Sequence, residues 1–225
     1  MNMIFTRESE QLKENILRLA GEVELRLADV FQATDSGDKK SLQNLIDRDE
    51  EIDAREVQIE EECLKILALH QPVAKDLRFV VAVLKINNDL ERIGDIVVNI
   101  AARSIRLIDF PLADLQEKLM RMGNVVREML KESLDALISL DIHKAVMVIA
   151  RDDEVDRMKI EVIQEVIERA TPANSSERTE SLILIHNMAR DLERIGDHAT
   201  NIAEDVAYLV DGTIIRHQAI VKNRS

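Results

Sequence analysis

Two tandem three-helix bundles related by a pseudo-twofold, six long helices in all, are the all-α architecture that three features of this sequence predict. Aromatic residues are 2% of the 225-residue chain, with no Trp and one Tyr, and six Gly with three Pro leave little material for hairpins. Apolar residues, 46% of the total, recur at helical rather than strand spacing. The chain also repeats itself. NNDLERIGDIVVNIA at 87–101 returns as ARDLERIGDHATNIA at 189–203, and RDEEID at 48–53 returns as RDDEVD at 151–156. Two motifs recurring in the same order mark a tandem duplication, and the halves divide as 1–110 and 111–225.

The first helix is expected to follow Thr6, a candidate N-cap, and to run to about residue 33 with Leu12, Ile16, Leu19, Val23, Leu27 and Val30 as its apolar stripe. TDSGD at 34–38 ends it. A second helix is predicted over 39–69, closed by HQP at 70–72, and Pro72 suits the first turn of a third helix over 72–107. IDFP at 108–111 separates the halves. The fourth helix then spans 112–138, the fifth 141–169 with Asp141 as a candidate cap, and the sixth 177–210 after TPANSS at 171–176. The tail, HQAIVKNRS, is weakly patterned and is expected to be poorly ordered. Isolated helices of this length are marginal in water, so packing between them must supply the stability.

Lys and Arg number 30 against 43 Asp and Glu, a formal net charge of -13. That balance repels nucleic-acid phosphates and excludes DNA or RNA as the main ligand. A single cysteine, Cys63, cannot form an intramolecular disulfide or a cysteine-rich metal site, and it lies among leucines on an amphipathic helix, a core position. The amino terminus has acidic residues where a secretory signal needs an apolar segment, and no uncharged run is long enough to span a bilayer, so the chain reads as soluble and intracellular. There is no Gly-rich phosphate loop and no nucleophile paired with a base, and the five histidines make no site by spacing.

The repeated acids fall on particular faces. At about 100° per residue, Leu42, Asp49, Asp53, Glu56, Glu60, Leu64 and Leu67 share one sector of the second helix, and Asp152 and Asp156 lie among Ala145, Val148, Ile163 and Val166 on the fifth. Glu91 and Asp95 are spaced i,i+4 on the third helix, opposite Leu90, Ile93, Val97 and Ile100; Glu193 and Asp197 repeat this on the sixth. Juxtaposing neighbouring helices gathers Asp49, Asp53, Glu91 and Asp95 into one cluster, and Asp152, Asp156, Glu193 and Asp197 into a second. Clustered carboxylates beside an apolar seam repel one another and lose hydration. Multivalent cations, raised pKa values or arginines from other helices can relieve this, and a solvated acidic face is the plain alternative. Arg48, Arg92, Arg151 and Arg194 are sequence neighbours of the acids and do not face them. Oxygen-only ligation favours Mg, Mn, Ca or iron over a structural zinc, and Glu-x-x-x-Asp differs from the Glu-x-x-His of ferritin-like di-iron enzymes. Gly94 and Gly196, both mid-helix, call for a close helix contact or access for an ion between the acids. Asn99 and Asn201 stand one turn beyond the aspartates as further ligands or donors.

The doubled DLERIGD, each copy preceded by Asp-x-x-x-Asp, and the stretch KDLRFVVAVLKINNDLERIGDIVVNIA resemble the PhoU family of phosphate-specific transport system accessory proteins over nearly the whole chain. The resemblance implies a cytoplasmic homodimeric regulator, not an enzyme. It implies an adaptor between the ATP-binding subunit of a phosphate ABC transporter and a membrane sensor histidine kinase, meeting the membrane only through these partners. Such an adaptor restrains phosphate uptake and the phosphate-starvation response when phosphate is plentiful. It further implies multinuclear clusters of divalent or trivalent ions, with iron, manganese, magnesium, calcium, zinc and nickel not distinguished, held by the eight acids named above. The flanks of the two copies differ: Lys75-Asp76-Leu77-Arg78 aligns with Glu177-Arg178-Thr179-Glu180. Rival readings are a metal-storage or metal-buffering helical protein and a di-metal hydrolase or oxidase.

Overall fold

The computed structural model describes residues 3–171 and 175–212 and contains no strand among them. Its helices are α1 (Met3–Ser36), α2 (Lys39–Asp47), α3 (Glu50–His70), α4 (Ala74–Leu107), α5 (Ala113–Ser139), α6 (Ile142–Ile149), α7 (Asp152–Arg169) and α8 (Ser176–Asp211). The six expected rods are all present, but the second and fifth are each interrupted, giving α2 with α3 and α6 with α7. At the first interruption the Asp49 N–H donates to the Ile46 carbonyl, and at the second the Arg151 N–H donates to Val148, both tight three-residue closures. Such a turn breaks the α-helical hydrogen-bond ladder while barely altering the spacing of apolar residues, so periodicity does not register it. Two other details differ from expectation. Thr6 lies inside α1 rather than capping it, and Pro72 precedes α4, whose N-cap is Val73. The tail falls outside the described residues.

The duplication is visible in packing. Leu12, Ile16, Leu19, Val23 and Leu27 on α1 correspond to Leu115, Leu119, Met122, Val126 and Leu130 on α5, all buried. The turns between long and short helices also match. Gly37 and Leu140 both adopt a left-handed conformation, with φ 69° and 51°. Asp38 and Asp141 follow them, and each carboxylate accepts from two backbone N–H groups to cap α2 and α6. Exact repetition fails at Arg26, whose counterpart is Met129; both are buried. Arg26 donates to the Arg48 carbonyl at 2.8 Å, satisfying a backbone acceptor at the α2–α3 interruption, and pairs with Glu22 and Glu51 at 2.9 Å.

Helices α4 and α8 join the halves. Their apolar faces, Leu90, Ile93, Val97 and Ile100 against Leu192, Ile195, Ala199 and Ile202, are buried. Polar pairs flank them: Lys85 with Asp205 at 2.6 Å, Asp89 with His198 at 2.8 Å, Arg103 with Asp191, and Arg106 with Glu180. Partners ascend on one helix while they descend on the other, so the two run antiparallel. The loop over 108–112 that links the halves is held where Ser181 Oγ donates to the Phe110 carbonyl at 2.8 Å.

Candidate metal centre

In the first half a glycine decides how closely the acid-bearing helices approach. A Cβ at Gly94 of α4 would lie 2.9 Å from Ile52 of α3, and one at Gly196 of α8 would lie 3.4 Å from Val155 of α7. Ile52 and Val155 each immediately precede an aspartate of the repeated motif by one position, so the crossing that buries them brings Asp53 beside Asp95 and Asp156 beside Asp197. The close helix contact foreseen for the glycines is thus present at Gly94, while at Gly196 a Cβ would meet Val155 only at ordinary van der Waals distance. The interruptions add a second effect: α3 and α7 begin beside the acids, with Glu50, Glu51 and Asp53, and Asp152, Asp153 and Glu154, in their first turns. A helix N-terminus favours carboxylates by about 0.3–1 kcal/mol each.

At the first site one carboxylate oxygen from each of Asp49, Asp53 and Asp95 lies within 4.8 Å of the others. Asp49 is half-buried and the other two are exposed, so the site opens to solvent on one side and is less sheltered than its apolar neighbours imply. Asp49 Oδ1 is buried and has no hydrogen-bond partner. Burial raises the Asp49 carboxyl above the usual range, with repulsion from Asp53 and Asp95 adding to it and Arg26 opposing. Glu91, half-buried, is raised by burial and by Asp95, with smaller contributions from Asp53 and Glu56. It borders the three aspartates without joining their close grouping. Glu56 is raised by burial and by Glu60 and Asp53. The nearby arginines are turned elsewhere, as expected: Arg48 pairs with Glu51 and Arg92 donates to Asn88. Asn99 donates to the Asp95 carbonyl rather than to a carboxylate. An orphaned carboxylate oxygen among hard oxygen donors fits a divalent or trivalent cation.

The second site brings Asp152, Asp156, Glu193 and Asp197 together, but it contains a cation of its own. Lys159 Nζ donates to Asp156 Oδ1 at 2.7 Å and to Glu193 Oε1 at 2.6 Å. Thr200 Oγ1 donates to Asp152 at 3.4 Å, a long contact. Burial raises Asp152, and it pushes Asp197 up to about 6, with Glu193, Asp152 and Asp156 adding repulsion. Asp197 as a residue is exposed, so the burial that shifts it is local to its carboxyl group, where the other acids crowd it. Aligning Arg48 with Arg151 sets Lys159 where the first half has Glu56, so the acidic pattern that looks intact in both motifs is broken one turn beyond the second. Sequence reasoning weighed arginines as partners and passed over this lysine, whose i,i+3 spacing from Asp156 was the available signal.

Away from these sites, Cys63 is fully buried, and burial with the charges of Glu62 and Glu60 lifts its thiol to about 12, which removes it as a nucleophile. His70 pairs with Glu8 and His198 with Asp89, leaving neither in an acid cluster; His217 lies outside the described residues.

Comparison with known proteins gives this geometry a family. The sequence model of the PhoU domain matches the chain twice, over residues 16–104 and 119–206. The chain belongs to the PhoU family. It is 37% identical over 220 residues to the phosphate-specific transport system accessory protein PhoU homolog of Pseudomonas putida, covering 96% of this chain and 84% of that one. It is 34% identical to the homolog of Clostridium acetobutylicum, covering 93% and 95%. The crystal structure of PhoU from Pseudomonas aeruginosa superposes with a TM-score of 0.86 at 36% identity, covering 93% of this chain and 100% of that one. The phosphate transport system regulatory protein PhoU of Streptococcus pneumoniae gives 0.85 at 29% identity, covering 93% and 98%. PhoU relatives are named as accessory and regulatory proteins, not enzymes, in agreement with the absence of catalytic motifs from the sequence. No helix among the described residues is long and apolar enough to cross a membrane.

Proposed function

We propose that this chain is a cytoplasmic regulator of phosphate uptake that uses metal ions to set the separation of its acid-bearing helices. It acts as an adaptor, as a homodimer, between the ATP-binding subunit of a phosphate ABC transporter and a membrane sensor histidine kinase. When phosphate is plentiful it restrains uptake and the starvation response. The accessory and regulatory names of relatives matching nearly the full chain support the phosphate role. The metal part is carried by one observation, a buried and unpartnered oxygen, Oδ1, on Asp49, the residue whose carboxylate groups with those of Asp53 and Asp95.

Asp49, Asp53 and Asp95 would hold the ion, with Glu91 at its border. A bound cation supplies the positive charge that the nearby side chains do not bring into contact, tying the start of α3 to the middle of α4. Exposed apolar side chains lie on the same helices, Val57 and Leu64 on α3 and Ile160 and Ile167 on α7, at matching positions in the two repeats. They supply a partner with apolar contact next to acidic charge.

The test combines metal analysis with capture of partners. At free ion near 100 times Kd, the wild-type chain should be stabilised by about 2.7 kcal/mol. Asp53→Asn with Asp95→Asn should abolish that gain, lower metal content by elemental analysis and reduce recovery of the transporter ATPase and the kinase in pull-downs. Unchanged metal content in the double variant would refute the site.

A further inference from the structure

Lys159 sits where a cation bridging the second acid cluster would have to go. Its Nζ is 2.7 Å from Asp156 Oδ1 and 2.6 Å from Glu193 Oε1, and its side chain is 20% exposed. Those oxygens belong to different helices, α7 and α8, so the ammonium already performs the link that an ion would perform between α3 and α4 in the other half. A metal binding the same two oxygens at about 2.0–2.6 Å would stand almost against Nζ, and both centres are positive. Either the lysine swings out or the metal stays out. The first half offers no such obstacle, because the aligned residue is Glu56, an acid whose charge acts on Glu91. Exchanging an acid for a lysine at one position changes the local charge by two units. The second site also has no compact three-oxygen grouping like that of Asp49, Asp53 and Asp95 among the described residues.

We propose that Lys159 is a resident counter-ion that makes the two acid clusters unequal, leaving Asp49, Asp53 and Asp95 as the site that loads a divalent cation while the Asp156–Glu193 pair is closed without one. The inference rests on the metal reading above and sharpens it. Ion loading controls the packing of α3 on α4, while α7 and α8 stay joined by an internal salt bridge whatever the ion supply. A tandem duplication has thereby yielded one responsive half and one preset half.

The experiment measures Mn2+ binding to the full chain by equilibrium dialysis with elemental analysis. Asp197→Asn isolates the first site and Asp95→Asn isolates the second. The Asp197→Asn chain should bind Mn2+ about tenfold or more tightly than the Asp95→Asn chain, and adding Lys159→Met to Asp95→Asn should recover about tenfold, since ligand charge tunes affinity by such factors. Glu56→Lys, which places the ammonium in the first half, should weaken the first site by a similar factor; this arm stands even where Lys159→Met fails to fold. Equal Mn2+ affinity at the two sites, unaffected by Lys159→Met or Glu56→Lys, overturns the inference while sparing the metal reading. No Mn2+ at either site in any variant overturns both.

Discussion

At Gly94 and Gly196 the two halves tolerate different things. A Cβ on Gly94 would stand 2.9 Å from Ile52 Cδ1 and 3.3 Å from its Cγ2, whereas the nearest atom to one on Gly196 is Val155 Cγ1 at 3.4 Å. Ile52 is 1% exposed, so its side chain can give way only by moving against other core side chains. Alanine gains about 1 kcal/mol over glycine inside a helix, and overpacking a core costs about 1–3 kcal/mol. Clash therefore outweighs propensity at Gly94 and not at Gly196. Gly94→Ala should lower the urea midpoint, and Gly196→Ala should leave it unchanged or raise it. A stabilised Gly94→Ala chain would contradict the tight α3–α4 crossing on which the first acid site depends. Lys159 carries the same lesson in charge: one side chain separates two clusters whose aspartate and glutamate motifs read alike.

Among the elements, α2 and α6 depend most on their ends, being 9 and 8 residues long. Helices so short do not persist on propensity. Asp38 Oδ1 accepts from the N–H groups of Lys40 and Ser41, both at 3.1 Å, and Asp141 Oδ1 from those of His143 and Lys144 at 2.9 and 3.3 Å. Asp38→Ala and Asp141→Ala should each cost about 1 kcal/mol in chemical denaturation, the usual loss on removing an N-cap, and Asn should recover most of it. A null effect at both would mean the short helices are held by packing alone. These caps also anchor the segments that lead into Arg48 and Arg151, where the chain turns before entering α3 and α7.

For the molecule as a whole, the sign of its pH response follows from the two populations of acids. Asp49, Glu91, Asp152 and Asp197 are raised by burial, Asp197 to about 6. Glu8, Asp38, Glu51, Asp114, Glu165 and Glu177 are lowered by hydrogen bonds, mostly to side chains. A raised carboxyl binds more protons folded than unfolded, so its contribution is favourable at low pH and is lost as pH climbs from the unfolded value of about 4 through its folded value. A lowered carboxyl contributes above about 4 and loses that contribution only as pH falls further. Between pH about 5 and 7 the lowered group is already ionised in both states, so the raised group governs the slope. With chelator present, stability should fall over that interval, aided by the net charge of -13. Asp197→Asn should flatten the fall. Stability that rises with pH in the metal-free wild type would show that these carboxyls are not crowded as described.

The six-rod plan, the duplication and the convergence of Asp49, Asp53 and Asp95 could be read from the amino acids, because the 3.6-residue period and an exactly repeated motif are local properties. The burial of Leu90, Ile93, Val97 and Ile100, and the turning away of Arg48 and Arg92, follow from the same periodicity and geometry. The interruptions at Arg48–Asp49 and Ala150–Arg151 escaped it, since a tightened turn leaves the apolar stripe almost in register. So did the inequality of the two sites. Whether a lysine neutralises carboxylates depends on where its ammonium lies relative to acids on another helix, and that distance is set by how closely α7 packs on α8, which no single-helix pattern encodes.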